Sequence, residues 1–182
     1  MRPPTIVPRW LFALGLVVGI AAASHLLAVW ALPRVIMARA LGLVGGDHPP
    51  AAALSPTTDH TQRRIVMPSP DLLYATCVWN LAERPLRIRA GLAGLRYGSI
   101  ALYAANSDNF FVVNDRQADA QALDLVLVGP KPYAGLAPLP AGARIVTAPS
   151  TKGLLLMRVL VGEATDRAAA EAARASLRCE AL

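Results

Sequence analysis

Residues 10–32 contain no Asp, Glu, Lys or Arg, and the only strongly polar side chains among them are Ser24 and His25. A helix needs roughly 20 predominantly apolar residues to cross the hydrocarbon core of a bilayer. The pattern therefore predicts one transmembrane helix over residues 10–32, preceded by a short tail, residues 1–9. Trp10 and Trp30 lie near the two ends of the run, where amphipathic aromatic rings favour the membrane interface.

A cleaved signal peptide competes with this reading. Arg2 and Arg9 precede the run, and Ala21, Ala22 and Ala23 offer a small-residue cleavage pattern. Retention is favoured, because apolar character continues through Leu26, Leu27, Val29, Trp30 and Leu32 and completes a spanning length. Arg34 and Arg39 nearly balance Arg2, Arg9 and the terminal amine, so the charge bias on orientation is small; a tail inside and a domain outside is the preferred arrangement. Gly15, Gly19 and Ala23 form a small-residue spacing along which two such helices approach closely, so self-association through the membrane is one reading.

The pattern then changes twice. Residues 33–62 read as a juxtamembrane segment and linker: Gly45, Gly46, Pro49, Pro50, Ser55, Pro56 and Thr57 give turn and linker composition without an apolar period. Residues 63–182 then show short runs of β-forming residues, near the usual size of one compact domain. In Leu86, Arg87, Ile88, Arg89, Ala90 apolar and charged residues alternate, as on a half-buried strand. Residues 97–103, 109–113, 123–128, 144–147 and 153–161 are further strand candidates, several apolar enough to be covered on both faces. The tail, residues 167–178, is rich in helix formers, with Thr165 or Asp166 as its cap and Glu171 three residues before Arg174. The expected fold is mainly β with some α: an antiparallel β-sandwich of about six to seven strands with a C-terminal helix, behind one transmembrane helix.

Charge adds little. The net +6 comes from dispersed arginines, and aromatic residues are only 5%, so a basic face with stacking rings for nucleic acid is not expected. His48 and His60 fall in the linker without the Cys, His or carboxylate partners of a metal site. No metal and no cofactor is therefore implied. Gly91 and Gly94 are too sparse for a phosphate loop, and no serine stands in a Gly-x-Ser-x-Gly context. Cys77 and Cys179 are the only cysteines. They either bridge in an oxidising compartment, pinning the C-terminal helix to the sheet, or remain separate thiols; a bridge needs Cα atoms within roughly 7 Å. No histidine follows His60 to act as base for a cysteine nucleophile within the domain.

The remaining candidate site is the polar group Tyr97, Tyr103, Asn106, Asp108 and Asn109, with Asp71, Tyr74 and Asn80 as candidates to join it. Amides, a carboxylate and aromatic rings suit a polar ligand such as a carbohydrate, bound or hydrolysed in a cleft. The same Asn106, Ser107, Asp108, Asn109 run between apolar segments is also what a hairpin turn requires, and turn chemistry is the favoured reading.

Taken in order, residues 68–74, Trp79 with Asn80 and Leu81, residues 85–88, 97–103 and 106–110, Gly129 with Pro130, residues 145–149 and residues 158–161 resemble the landmarks of the domain-of-unknown-function family 1254. The resemblance spans roughly residues 64–180. It implies a mainly β domain, often found in bacteria beside a second uncharacterised domain of the DUF-1214 kind. That companion is expected here as a separate chain. The resemblance implies no reaction. Together these readings point to a single-pass protein of the bacterial inner membrane, its domain in the periplasm, acting as an interaction or accessory module of the cell envelope and leaning away from enzymatic activity.

Overall fold

A computed structural model of the chain describes residues 8–44, 50–55, 68–92, 94–117, 122–133 and 138–182. His48, His60, Arg2 and, of the stretch read as juxtamembrane segment and linker, residues 45–49 and 56–62 lie outside these residues.

Helix α1 runs without interruption from Arg9–Val44, about 54 Å at 1.5 Å per residue. It continues past the apolar run into the segment of linker composition. Pro33 sits inside it, where the missing N–H leaves the Val29 carbonyl without its helical donor. The helix persists beyond Pro33 because its last turns rest on the rest of the protein: Met37 is buried there, and α1 touches the strands β2 and β8 defined next.

Nine strands follow: β1 (Ala51–Leu54), β2 (Leu72–Asn80), β3 (Leu86–Ala90), β4 (Gly98–Ala104), β5 (Asn109–Asn114), β6 (Leu123–Val128), β7 (Arg144–Thr147), β8 (Lys152–Leu160) and β9 (Arg178–Ala181). They form a five-stranded sheet in the order β1-β2-β8-β4-β5 and a four-stranded sheet in the order β7-β6-β3-β9. A mainly β sandwich with a C-terminal helix is thus what the chain forms, with nine strands where six or seven are expected. β1, β2 and β9 are not among the strand candidates; β1 and β9 have four residues each, whereas β2 has nine and lies inside its sheet. Ala51–Leu54 has no polar alternation to signal a strand; it becomes one by pairing with residues 75–78 of β2. Residues 178–181 pair with β3.

One pair departs from the antiparallel expectation. β6 and β7 are parallel, with Leu125 opposite Arg144 and Val128 opposite Thr147. A parallel pair needs a crossover of a dozen or more residues, and residues 129–143 supply that length.

The core lies between the sheets. On β8, Gly153, Leu155, Met157 and Val159 are buried while the intervening residues are less so, the two-residue period of a pleated strand. Leu73, Ala75, Cys77 and Trp79 of β2, Leu86 and Ile88 of β3, Ile100 and Leu102 of β4 and Leu125 and Leu127 of β6 join the same cluster. Arg87 and Arg89 alternate with the buried residues of β3, as the pattern predicts, and pair with Asp124 and Glu180 on the neighbouring strands.

Helix α2 (Arg167–Ala175) is shorter than its helix-forming composition suggests. Ser176 stops it: its hydroxyl donates to the Ala173 carbonyl and accepts from the Gly91 amide. Leu177 then enters the core and the chain turns into β9. Asp166 stands at the N-cap without a side-chain cap bond; its carboxylate instead accepts from the Glu163 amide and from Arg96. Glu171 and Arg174 are hydrogen-bonded as their spacing predicts, and Arg174 also reaches the Ser55 carbonyl.

Cys179 consequently lies in β9 rather than at a helix end. It is joined to Cys77 of β2 by a disulfide, with Cα atoms 6.7 Å apart. The bridge links one sheet to the other, not a helix to a sheet, because the four residues after Leu177 are drawn into pairing with β3.

Candidate functional site

The polar run 106–109 closes the β4–β5 hairpin. Ala104 N–H donates to the Asp108 carbonyl and Ser107 N–H to the Ala104 carbonyl, each at 2.9 Å. Ser107 takes a positive φ of 72°, a region L-residues with a Cβ enter at a cost. Asn106 Nδ2 donates to Asp108 Oδ2 at 2.5 Å, and Asn106 Oδ1 accepts from the Asp108 amide at 3.3 Å. The amide and carboxylate that make this run a ligand candidate thus bond each other and the local backbone, as Asx turn chemistry dictates.

The other candidates divide between the two ends of the five-stranded sheet. Tyr97 precedes β4 and Tyr103 is its penultimate residue, positions about 20 Å apart along an extended strand. The Tyr97 hydroxyl donates to Ser99. Asp71 and Tyr97 belong to one end, where their carbonyls accept from Val161 and Leu160; the Tyr74 hydroxyl there accepts from the Ser69 amide. Asn80 lies at the opposite end beside Lys152, its carbonyl oxygen taken by the Ala82 amide. The structure therefore gathers Tyr103, Asn106, Asp108 and Asn109 at one hairpin and leaves Tyr97, Asp71 and Tyr74 at the far end of the sheet.

At the hairpin end the helix and the domain meet. Ser107 Oγ donates to the Pro33 carbonyl over 2.9 Å. Beside this contact an open cleft of about 470 Å³ is lined by Arg34, Ala38 and Leu41 of α1, Ala104, Ala105 and Asn106 of the hairpin, and Pro149, Ser150 and Lys152 before and within β8. Its rim carries two cations and no carboxylate. One N–H of Arg34 donates to the Trp30 carbonyl, and its guanidinium sits 4.6 Å from the centre of the Trp30 ring, a cation–π distance. The Ser150 hydroxyl is spent on the Lys152 carbonyl and the Ala105 amide.

Of these residues only Asn106 is among the sequence candidates. Arg34 is legible as the first cation after the apolar run and Lys152 as one of two lysines, yet nothing local connects them. Gly15 and Gly19 lie on the exposed apolar half of α1, where an added Cβ would meet nothing within 4 Å. Among the described residues no three His, Cys, Asp or Glu side chains converge as a metal site.

Comparison with known proteins matches residues 50–181 to the model of the family described as "Protein of unknown function (DUF1254)". The chain belongs to the DUF1254 family. The match begins at the residue before β1 and ends with β9, so the DUF1254 unit comprises both sheets and α2 and excludes α1. No curated protein matches this chain. Among solved structures it is similar to the VPA0106 protein of Vibrio parahaemolyticus, at 13% identity and a TM-score of 0.64 over 85% of this chain and 36% of that one. It is also similar to an uncharacterised protein of Burkholderia cenocepacia, at 15% identity and a TM-score of 0.49 over 88% of this chain and 42% of that one. The first likeness shows the fold alone, and the chain spans well under half the length of either protein.

Proposed function

We propose that this DUF1254 protein is a single-pass anchored protein of the bacterial inner membrane whose β domain stands on the periplasmic side as an accessory or interaction module. A separate DUF1214-like chain is its partner. One observation carries the anchor: the apolar part of α1 is long enough to span a bilayer and entirely exposed, whereas the same helix from Pro33 onward packs on the domain. Contiguous apolar surface of that extent on a soluble protein marks a membrane or partner site. The Cys77–Cys179 bridge supports the compartment, because such bonds persist in the periplasm and are rare in the cytosol. The internal bonding of the 106–109 hairpin weighs against a polar-ligand site there and toward a module without chemistry of its own.

The test is fractionation of cells expressing the full-length chain fused at its C-terminus to alkaline phosphatase. The expected result is active phosphatase in a membrane pellet that resists alkaline carbonate, and co-elution of a co-expressed DUF1214 chain after detergent extraction. Recovery in the aqueous fraction with a new terminus near Ser24 removes the anchor. An inactive phosphatase in the pellet reverses the orientation, and a DUF1214 chain that never co-elutes removes the partner.

A further inference from the structure

The cleft between α1 and the hairpin end of the sheet has a fixed height in the anchored chain. If residues 10–32 span the hydrocarbon, Leu32 ends at its boundary, and Arg34 stands about 3 Å above it at 1.5 Å per residue. The headgroup layer extends roughly 5–8 Å beyond the hydrocarbon on each side. Arg34 therefore lies at headgroup depth, and Ala38 and Leu41 continue the cleft wall upward from it.

Three features suit this cleft to an anion. Two cations, Arg34 and Lys152, line it with no carboxylate among the lining residues. Arg34 uses one N–H on Trp30 and has four more to offer a phosphate, while Lys152 is exposed and pairs with no carboxylate among the described residues. The remaining wall is mainly apolar, from Ala38, Leu41, Ala104 and Pro149, a low-dielectric surface that strengthens the pull of the two cations on an anion. The Ser107–Pro33 bond and buried Met37 hold the helical wall against the other one, so the two cations, far apart in sequence, face a common space.

We infer that this cleft binds the phosphate of an anionic lipid headgroup in the leaflet beneath the domain, with Arg34 and Lys152 as its ligands, and so fixes the domain's seat on the membrane. This rests on the anchored reading above.

The test uses the full-length chain reconstituted in vesicles of equal parts phosphatidylcholine and phosphatidylglycerol, then released for native mass spectrometry. The expected result is preferential retention of phosphatidylglycerol, falling about fivefold in Lys152→Ala at roughly 1 kcal/mol per cation, falling similarly in Arg34→Gln, and restored by Lys152→Arg. Equal retention of the two lipids, or a preference unchanged by both substitutions, overturns the site while leaving the anchor standing. Glycerol 3-phosphate held as well as the lipid by the detergent-solubilised chain overturns the lipid source in favour of a soluble phosphate. A chain that does not enter the vesicles at all overturns the anchor itself, which separates that failure from the others.

Discussion

The hydroxyl of Ser107 donates to the carbonyl of Pro33 across 2.9 Å, so the tip of the β4–β5 hairpin is tied to the helix that leaves the apolar span. A neutral hydrogen bond of this kind contributes about 0.5–1.5 kcal/mol. Ser107→Ala keeps the strained positive φ and loses the bond; its expected effect is faster hydrogen exchange at the α1 amides of residues 34–41 in the detergent-solubilised chain. Ser107→Gly loses the same bond and relieves backbone strain of about 1 kcal/mol, so it loosens the helix equally with little change in domain stability. Unaltered exchange in both variants shows that Met37 packing alone holds the helix.

The Cys77–Cys179 bridge spans 102 residues. In the chain-entropy account, a loop of that size restricts the unfolded state by about 4–5 kcal/mol, and native bridges removed from small exported domains typically cost about 2–5 kcal/mol. The expected outcome for Cys77→Ser with Cys179→Ser is a urea midpoint lowered to match, and a non-reducing gel mobility like that of the reduced wild type. A midpoint unchanged by reduction dismisses the bridge as a contributor to stability.

Gly153 lies in register with Trp79 on β2 and Ala104 on β4. A Cβ at this position would collide with the Trp79 ring and the Tyr103 carbonyl. Neither can retreat easily, one being buried and the other part of the sheet backbone. Overpacking of this kind typically costs about 1–3 kcal/mol. Gly153→Ala is expected to lower the thermal midpoint accordingly; a neutral result shows that the Trp79 ring shifts at little cost.

Arg87 and Asp124 form a two-pronged pair, with Nε and Nη2 at 2.9 and 2.6 Å from the two carboxylate oxygens. The hydrogen bonds from Arg87 hold the Asp124 carboxyl below its usual range, near 3.9 in unfolded chains. The folded pKa is the lower one, so this contribution is fully present above the unfolded value and is lost as pH falls through the folded value. Stability should decline on acidification below about pH 4, and Asp124→Asn should flatten that decline. An identical acid limb in wild type and variant assigns the loss to other carboxylates.

Much of the fold is legible where it obeys a local period. The alternation of Leu86, Arg87, Ile88, Arg89 and Ala90 follows from side chains that point to opposite faces of a pleat, and β3 forms there with both arginines outward. Ser107 needs its positive φ because a tight turn must reverse the chain within a few residues, and the Asn and Asp beside it announce that turn. β1 is illegible for the opposite reason: three alanines and a leucine carry no period, and only the free edge of β2 makes them a strand. The helical tail overruns in the reading because helix propensity does not register that Ser176 finds partners at Gly91 and Ala173.

The site is less legible than the fold. Asn106 and Asp108 are conspicuous by type, yet they serve the turn and each other. Arg34 and Lys152, inconspicuous in sequence, line one cleft.

By itself the sequence determined the apolar span, the alternating strands, the helix-forming tail and the turn at residues 106–109, because each follows from backbone geometry and solvation acting over a few neighbouring residues. Only the tertiary structure decided which strands share a sheet, that β6 and β7 run parallel, that Cys77 meets Cys179 between sheets, and that a continuous α1 brings Arg34 to the cleft that Lys152 also lines. Those choices depend on burying apolar faces against partners distant in the chain, and a linear pattern states that a face must be buried without naming what will cover it.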